Sequence, residues 1–269
     1  MIIGISGKKQ HGKDTVAKII RWLTVDHKGR PDLNTIEAKI DLAIQYCTKE
    51  DVIGARETWR VVRFADKLKD IVCILLGCTR EQLEDETFKN TPLGKEWSKL
   101  ITTVPLRDDV EKLIEEREYN IRFTGCYYSK NTRSIDIFYV PTPRLILQLI
   151  GTECGRNIIH PDVWVNSTMS GYVATTGTHY NINTGKMGIT YPNWIIPDTR
   201  FPNEFKAIKD RNGFVVRVDN PNVISEDTHE SETALDNCTE FDARFINDGP
   251  IENLVIQVKD FLIQKQLLK

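Results

Sequence analysis

The chain has 269 residues, enough for one elaborated domain with a substantial core. Lys and Arg number 36 against 38 Asp and Glu, a formal net charge of −2, so no global basic field marks nucleic acid as a partner. No apolar run approaches the length needed to cross a bilayer, and the six cysteines form no CxxC pair, which favours free thiols in a reducing cytosol over disulfides or bound zinc.

Residues 2–6 read as a short buried strand that starts directly behind Met1, with no leader ahead of it. It runs into Gly7-Lys8-Lys9-Gln10-His11-Gly12-Lys13. Glycine, four variable residues, glycine and lysine reproduce the spacing of a phosphate-cradling P-loop, whose backbone N–H groups face phosphate oxygens while the lysine reaches the β/γ-phosphates. Asp14 stands where Ser or Thr usually meets magnesium; a carboxylate also serves a hard cation, and Thr15 offers a hydroxyl one position later. Val16, Ile19, Ile20 and Leu23 then predict a helix over 13–25, whose positive N-terminal end favours the same anion.

A polar turn over 27–34 precedes an inserted helix carrying Ile36, Ile40, Ala43, Ile44 and Cys47. Residues 61–65 are the second strand. A helix from Asp66 follows, with Leu68, Ile71, Val72, Leu75 and Leu76 on its apolar face and Gly77 as its stop. Thr79 and Gln82 resemble a capping box, 87–105 reads as a mobile loop, 108–117 as a charged helix and 119–140 as a β-hairpin turning at 129–131. Pro143 starts a helix that buries Leu145, Ile146, Leu149 and Ile150 and ends before 151–156. A helix over 163–169 and a second hairpin-like insertion over 171–191 come next. Strands at 194–196, 214–218 and 244–246 alternate with helices at 204–211 and 253–268. The pattern predicts an α/β fold of the P-loop NTPase type, a mainly parallel sheet covered by helices on both faces, in one domain over 1–269 with helical and β-hairpin insertions at about 27–58, 87–140 and 170–192.

Ligands of such sheets gather beyond the carboxyl ends of the strands, which places Asp66, Asp198 and Arg200 at the ligand edge. Arg144, Arg156 and Arg200 each border a segment boundary facing that edge, and guanidinium forks match phosphate oxygens; a surface ion pair is the competing role for each. Asp198 could orient a substrate or act through magnesium-bound water, or serve as a turn carboxylate. Asp66 and Lys69 open the helix after the second strand, where Asp66 could equally be an N-cap. Trp164 could stack on a nucleobase or belong to the core. Residues 171–188 are either a phosphate-covering flap or a solvent-exposed decoration.

Several blocks in order resemble the bacteriophage-type deoxynucleoside monophosphate kinases. These are Ser6-Gly7-Lys8-Lys9 through Gly12-Lys13-Asp14-Thr15, Phe64-Ala65-Asp66-Lys67-Leu68-Lys69, Pro143-Arg144 leading to Gly151-Thr152, Asp162-Val163-Trp164-Val165, Asp198-Thr199-Arg200-Phe201-Pro202-Asn203-Glu204 and Asp227-Thr228-His229-Glu230-Ser231-Glu232. The resemblance implies that Gly12, Lys13, Asp14 and Thr15 hold ATP phosphates and magnesium, and that Lys9 and Gln10 face the acceptor phosphate. It further implies that Arg144, Gly151, Thr152, Trp164, Asp198, Arg200 and Glu204 line the deoxynucleotide site. The expected reaction is ATP + dNMP → ADP + dNDP by in-line transfer, with Lys13, Arg144, Asp198 and Arg200 as its catalytic groups. Phosphomevalonate kinases share the glycine-lysine-aspartate loop and the aspartate-x-arginine segment and form one alternative; a non-catalytic ATP-binding module is another. A soluble cytoplasmic protein free of nucleic acid and membrane is expected, with a homodimer as an open assembly.

Overall fold

Strand β1 (Ile2–Ser6) is buried along its whole length, because both of its faces are covered. In this computed structural model, residues 1–27, 30–47, 59–105, 126–130, 134–181, 186–223 and 233–268 are described. They form two compact units, Met1–Ala65 with Trp164–Lys269, and Asp66–Val163.

In the first unit, β1 pairs in parallel with both β8 (Trp194–Ile196) and β9 (Phe214–Asp219). The five-stranded sheet runs β10-β9-β1-β8-β2, with β2 (Arg60–Val61) and β10 (Ala243–Ile246) at its edges, and every pairing is parallel. Alternation along β1 sends Ile3 and Ile5 to one face and Ile2 to the other. On the first face they meet α1 (Lys13–Thr24), α2 (Ile36–Tyr46) and the C-terminal helix Ile251–Gln264 through Ile19, Ile20, Ala43, Val258 and Leu262. On the second, Ile2, Ile196 and Val215 pack on Phe205 and Ile208 of helix Pro202–Lys209 and on Val165 and Met169 of helix Val163–Met169. The helices at 13–25 and 163–169 and the inserted helix after residue 34 thus form where the periodicity put them. Strands β6 (Thr175–Asn181) and β7 (Lys186–Thr190) pair antiparallel as the expected second hairpin.

The second strand is shorter than its apolar run. Only Arg60 and Val61 pair in register with β8, and the chain then turns because Phe64 and Ala65 donate their N–H groups to Asp198 rather than to a neighbouring strand.

In the second unit, α3 (Asp66–Leu76) starts at Asp66 as expected and ends at Gly77, whose φ of +65° allows Cys78 N–H to reach back to Cys73 O at 3.1 Å. Its buried stripe is narrower than the periodicity implied. Val72 is fully buried, whereas Ile71 and Leu75 are about half exposed. The Thr79–Gln82 capping box is present on helix Arg80–Glu84. Residues 87–105 are not a loop throughout: Asp85 caps a short helix, Glu86–Asn90, and β3 (Lys99–Pro105) pairs antiparallel with β5 (Ser134–Tyr139). One capping side chain and a long-range ladder carry those elements, and neither leaves a local periodicity. The expected hairpin is present as β4 (Cys126–Lys130) against β5. Helix Pro143–Gln148 does not stop before Gly151. It continues through Leu149–Ile159 in wider π-type turns, with Leu145, Ile146 and Ile150 half-buried and Leu149 exposed. Ser129 and Lys130, expected in the turn at 129–131, instead extend β4 and pair with Asp136 and Ile135. The helix expected at 108–117, residue 131 and the block 227–232 lie outside the described residues. Among the described residues no helix is long and apolar enough to cross a membrane.

Candidate active site

The loop after β1 has, at two positions, backbone geometry and close approaches that favour glycine. Gly7 sits at φ +145°, where a Cβ would come within 2.4 Å of Val218 O; Gly12 sits at φ +100°, where a Cβ would meet Asn247 Nδ2 at 2.6 Å. Gln10 is also left-handed, at φ +64°. The loop therefore arches over the end of β9 and delivers the chain into the N-terminus of α1, where N–H groups concentrate. Lys13 Nζ folds back onto the arch, donating to Gly7 O and Lys8 O at 2.6 Å each. Lys9 and Gln10 are exposed on the crest, Asp14 is exposed in the first helical turn, and Thr15 is half-buried beside it.

His11 ties this loop to the sheet. Its ring is buried, Nδ1 accepts the Asn220 N–H at 3.1 Å, and its carbonyl accepts from Asn247 Nδ2 at 3.0 Å. An accepting Nδ1 requires the neutral imidazole. Burial pushes the His11 pKa below its ordinary value, against the opposing pull of the Val218 carbonyl and Asp219.

Beside it, a cavity of about 360 Å³ opens at the ends of β9 and β10, lined by Lys8, His11, Arg217, Asp219, Asn220 and Asp236 among others. Arg217 is buried there and forked between Asp236 at 2.6 Å and Asp219 at 3.0 Å. Burial disfavours its charge, but the two carboxylates more than offset that and hold its pKa above the usual value. Burial likewise opposes ionised Asp236, while Arg217 and Lys8, the latter at 3.3 Å, hold its carboxyl below the usual range.

On the other side of β1, Asp198 follows β8. Its two oxygens accept the Phe64 and Ala65 N–H groups at 3.0 Å each, and burial nevertheless raises its pKa against those bonds and the nearby Arg200 and Arg63. Glu204 is buried and caps its own helix, accepting the Arg200 and Phe201 N–H groups at 2.8 and 3.1 Å. Arg200 is half-buried and Trp164 is 7% exposed. Arg63, two residues beyond β2, donates from Nη2 to Asp14 Oδ1 at 2.7 Å.

The remaining expected residues belong to the second unit. Asp66 meets Arg80 at 3.1 Å, and Lys69 meets Glu84 at 2.5 Å. Arg144 is braced by Asn90 Oδ1 at 2.8 Å and Glu86 Oε2 at 2.6 Å. Gly151 faces Leu68, where a Cβ would stand 3.0 Å from Leu68 Cδ2, while Thr152 and Arg156 follow on the π-type turns, a form of helix frequent at functional sites.

Sequence reasoning missed Arg63, His11, Arg80, Arg217 and Asp236. His11 is one of the variable positions of the glycine loop and the others lie in no spacing motif, while their contacts join distant positions: Arg63 and Asp14 are 49 residues apart. Position gave no signal for Arg63 either, because the apolar run placed it inside the second strand, whereas β2 ends at Val61 and leaves it at the ligand edge.

A family model described as deoxynucleotide monophosphate kinase matches residues 108–258. The chain is 30% identical over 132 residues to a provisionally named deoxynucleotide monophosphate kinase of Acanthamoeba polyphaga mimivirus, covering 46% of this chain and 62% of that protein. It is 29% identical over 119 residues to the deoxynucleotide monophosphate kinase of Enterobacteria phage T4, covering 44% of each. The matched part thus spans less than two thirds of either relative. The family match holds Arg144, Gly151, Thr152, Arg156, Trp164, Asp198, Arg200 and Glu204, and it excludes the glycine loop after β1, whose geometry stands as a separate observation. A match across more than half of the residues, together with these two relatives, places the chain in the deoxynucleotide monophosphate kinase family.

Proposed function

We propose that this protein transfers the γ-phosphoryl group of ATP to a deoxynucleoside monophosphate, giving dNDP and ADP. The observation that carries the reading is the phosphate loop, with Gly7 and Gly12 in left-handed backbone and Lys13 Nζ resting on the loop carbonyls, in a chain whose other half matches the kinase family. On nucleotide binding, the Lys13 ammonium exchanges the Gly7 and Lys8 carbonyls for β- and γ-phosphate oxygens. A nucleotide phosphate is already ionised at neutral pH, so the residues need to position and neutralise rather than remove a proton.

Asp14 and Thr15 fit magnesium: the Asp14 carboxylate is exposed at the loop and already faces a cation, Arg63. Held there, magnesium would supply positive charge against the charge that develops on the phosphates during transfer. Arg200, Arg144, Arg156 and Lys69 supply cations for the acceptor and transferring phosphates, with Lys9 and Gln10 facing the acceptor from the loop crest. Gly151, Thr152 and Trp164 shape the nucleoside site. Asp198 and Glu204 act as positioning residues, holding the Phe64–Ala65 turn and the Arg200 backbone through the bonds described above. Family membership favours a nucleotide over an isoprenoid phosphate as acceptor. Catalysis in a cytoplasm is consistent with this chemistry.

The test is product analysis by mass after incubation with magnesium-ATP and each deoxy- or ribonucleoside monophosphate in turn, with phosphomevalonate and acceptor-free controls. Formation of a deoxynucleoside diphosphate supports the proposal and names the base. Turnover of phosphomevalonate alone, or ATP binding with no acceptor consumed, contradicts it.

A further inference from the structure

We propose that Arg63 is a ligand of the nucleotide phosphates, held in reserve by Asp14 until magnesium takes that carboxylate. The inference rests on the kinase reading and assigns a new residue to its donor site.

Arg63 lies two residues past the end of β2, on the edge of the parallel sheet where ligands collect, and its Nη2 reaches Asp14 Oδ1 at 2.7 Å. Asp14 directly follows Lys13, so the guanidinium stands beside the mouth of the phosphate loop. Arg63 also acts, together with Arg200, on the Asp198 carboxylate. It therefore occupies the ground between the loop after β1 and the turn after β8.

The pairing with Asp14 is weakly held. The side chains are 37% and 71% exposed, and such surface ion pairs contribute little because water screens them. A guanidinium fork on phosphate oxygens is a stronger arrangement, with two charge-assisted hydrogen bonds to a more highly charged partner. Magnesium seeks oxygen ligands and competes with Arg63 for the same Asp14 oxygens. When the metal and nucleotide arrive together, Asp14 turns to the metal and the released guanidinium turns to the phosphates. Without the metal, Asp14 retains Arg63, and the arginine contributes little to nucleotide affinity.

The experiment is equilibrium titration of a fluorescent ATP analogue into wild type, Arg63→Gln, Asp14→Asn and the double variant, with magnesium and with EDTA, each protein checked by circular dichroism and thermal melting. Arg63→Gln should weaken binding by about tenfold in magnesium and by less than about twofold in EDTA. Asp14→Asn should tighten binding in EDTA by several-fold, and the double variant should lose that gain. Arg63→Lys, which keeps the charge but not the fork, should weaken binding in magnesium by more than about twofold but by less than Arg63→Gln, and serves if the glutamine variant does not fold. Wild-type binding that Arg63→Gln or Arg63→Lys leaves within about twofold in magnesium, or an EDTA gain that persists in the double variant, overturns the inference alone. A folded wild type that binds no analogue in either condition overturns the kinase reading and this inference with it.

Discussion

Asp198 fastens the chain at Ala65: its Oδ2 accepts the Ala65 N–H at 3.0 Å while its Oδ1 accepts that of Phe64 at 3.0 Å. An alanine at this position leaves two partly buried N–H groups without their partner. Asp198→Ala should therefore lower unfolding stability by about 2 kcal/mol, in addition to any effect on turnover. Urea denaturation of the two proteins checks this, and an unchanged midpoint would mean that the bonds hold nothing.

The loop glycines should tolerate no side chain. At Gly7 a Cβ would press on the Val218 carbonyl, a backbone atom that cannot move aside cheaply, and the backbone stands at φ +145°. Gly7→Ala should cost about 1–3 kcal/mol from backbone strain alone and weaken ATP binding further by displacing the loop. Thermal melts with and without ATP read both parts. Full retention of affinity would contradict the loop geometry.

Acid should loosen the loop through His11. Its folded pKa lies below its unfolded value of 6.5, because burial favours the neutral ring that accepts from Asn220. The stability this contributes is present above pH 6.5 and is lost as pH falls toward the folded pKa, since the unfolded chain then binds the proton more readily. Burial lowers the pKa of His27 as well, so the two add to the same slope. His11→Gln should flatten, without abolishing, the fall in melting temperature between about pH 7 and pH 5. An unaltered slope would remove His11 from that account.

Under the proposed function, Arg144 serves the acceptor and not the donor. Its guanidinium is held ready by Asn90 and Glu86. Arg144→Ala should lower kcat/KM for the monophosphate by about tenfold or more while leaving ATP affinity near the wild-type value. Steady-state kinetics with each substrate varied separates the two, and an equal loss toward ATP would argue against an acceptor-side role.

Much of the sheet was legible because parallel strands buried on both faces are written as short apolar runs, as in Ile2-Ile3-Gly4-Ile5 and Trp194-Ile195-Ile196. The glycine loop after β1 was legible because its spacing and its glycines are local. The end of β2 was not, since Phe64 and Ala65 look like strand residues until the distant Asp198 captures their N–H groups. Nor was the helix Glu86–Asn90, which is too short for a period, or the turn of Gly151–Arg156 into π-type helix. The same division holds within the site. Lys13 announces itself in the sequence, whereas Arg63, His11 and the Arg217–Asp236 pair take their places only when the sheet brings distant loops to one edge.

The most direct measurement follows the phosphoryl group itself. ATP labelled with oxygen-18 on its γ-phosphate, incubated with magnesium and deoxynucleoside monophosphates, should give a deoxynucleoside diphosphate carrying the label in its terminal phosphate, with a loss of at least about a hundredfold in Lys13→Ala. Labelled inorganic phosphate with no labelled diphosphate, or equal transfer by the lysine variant, would contradict the account.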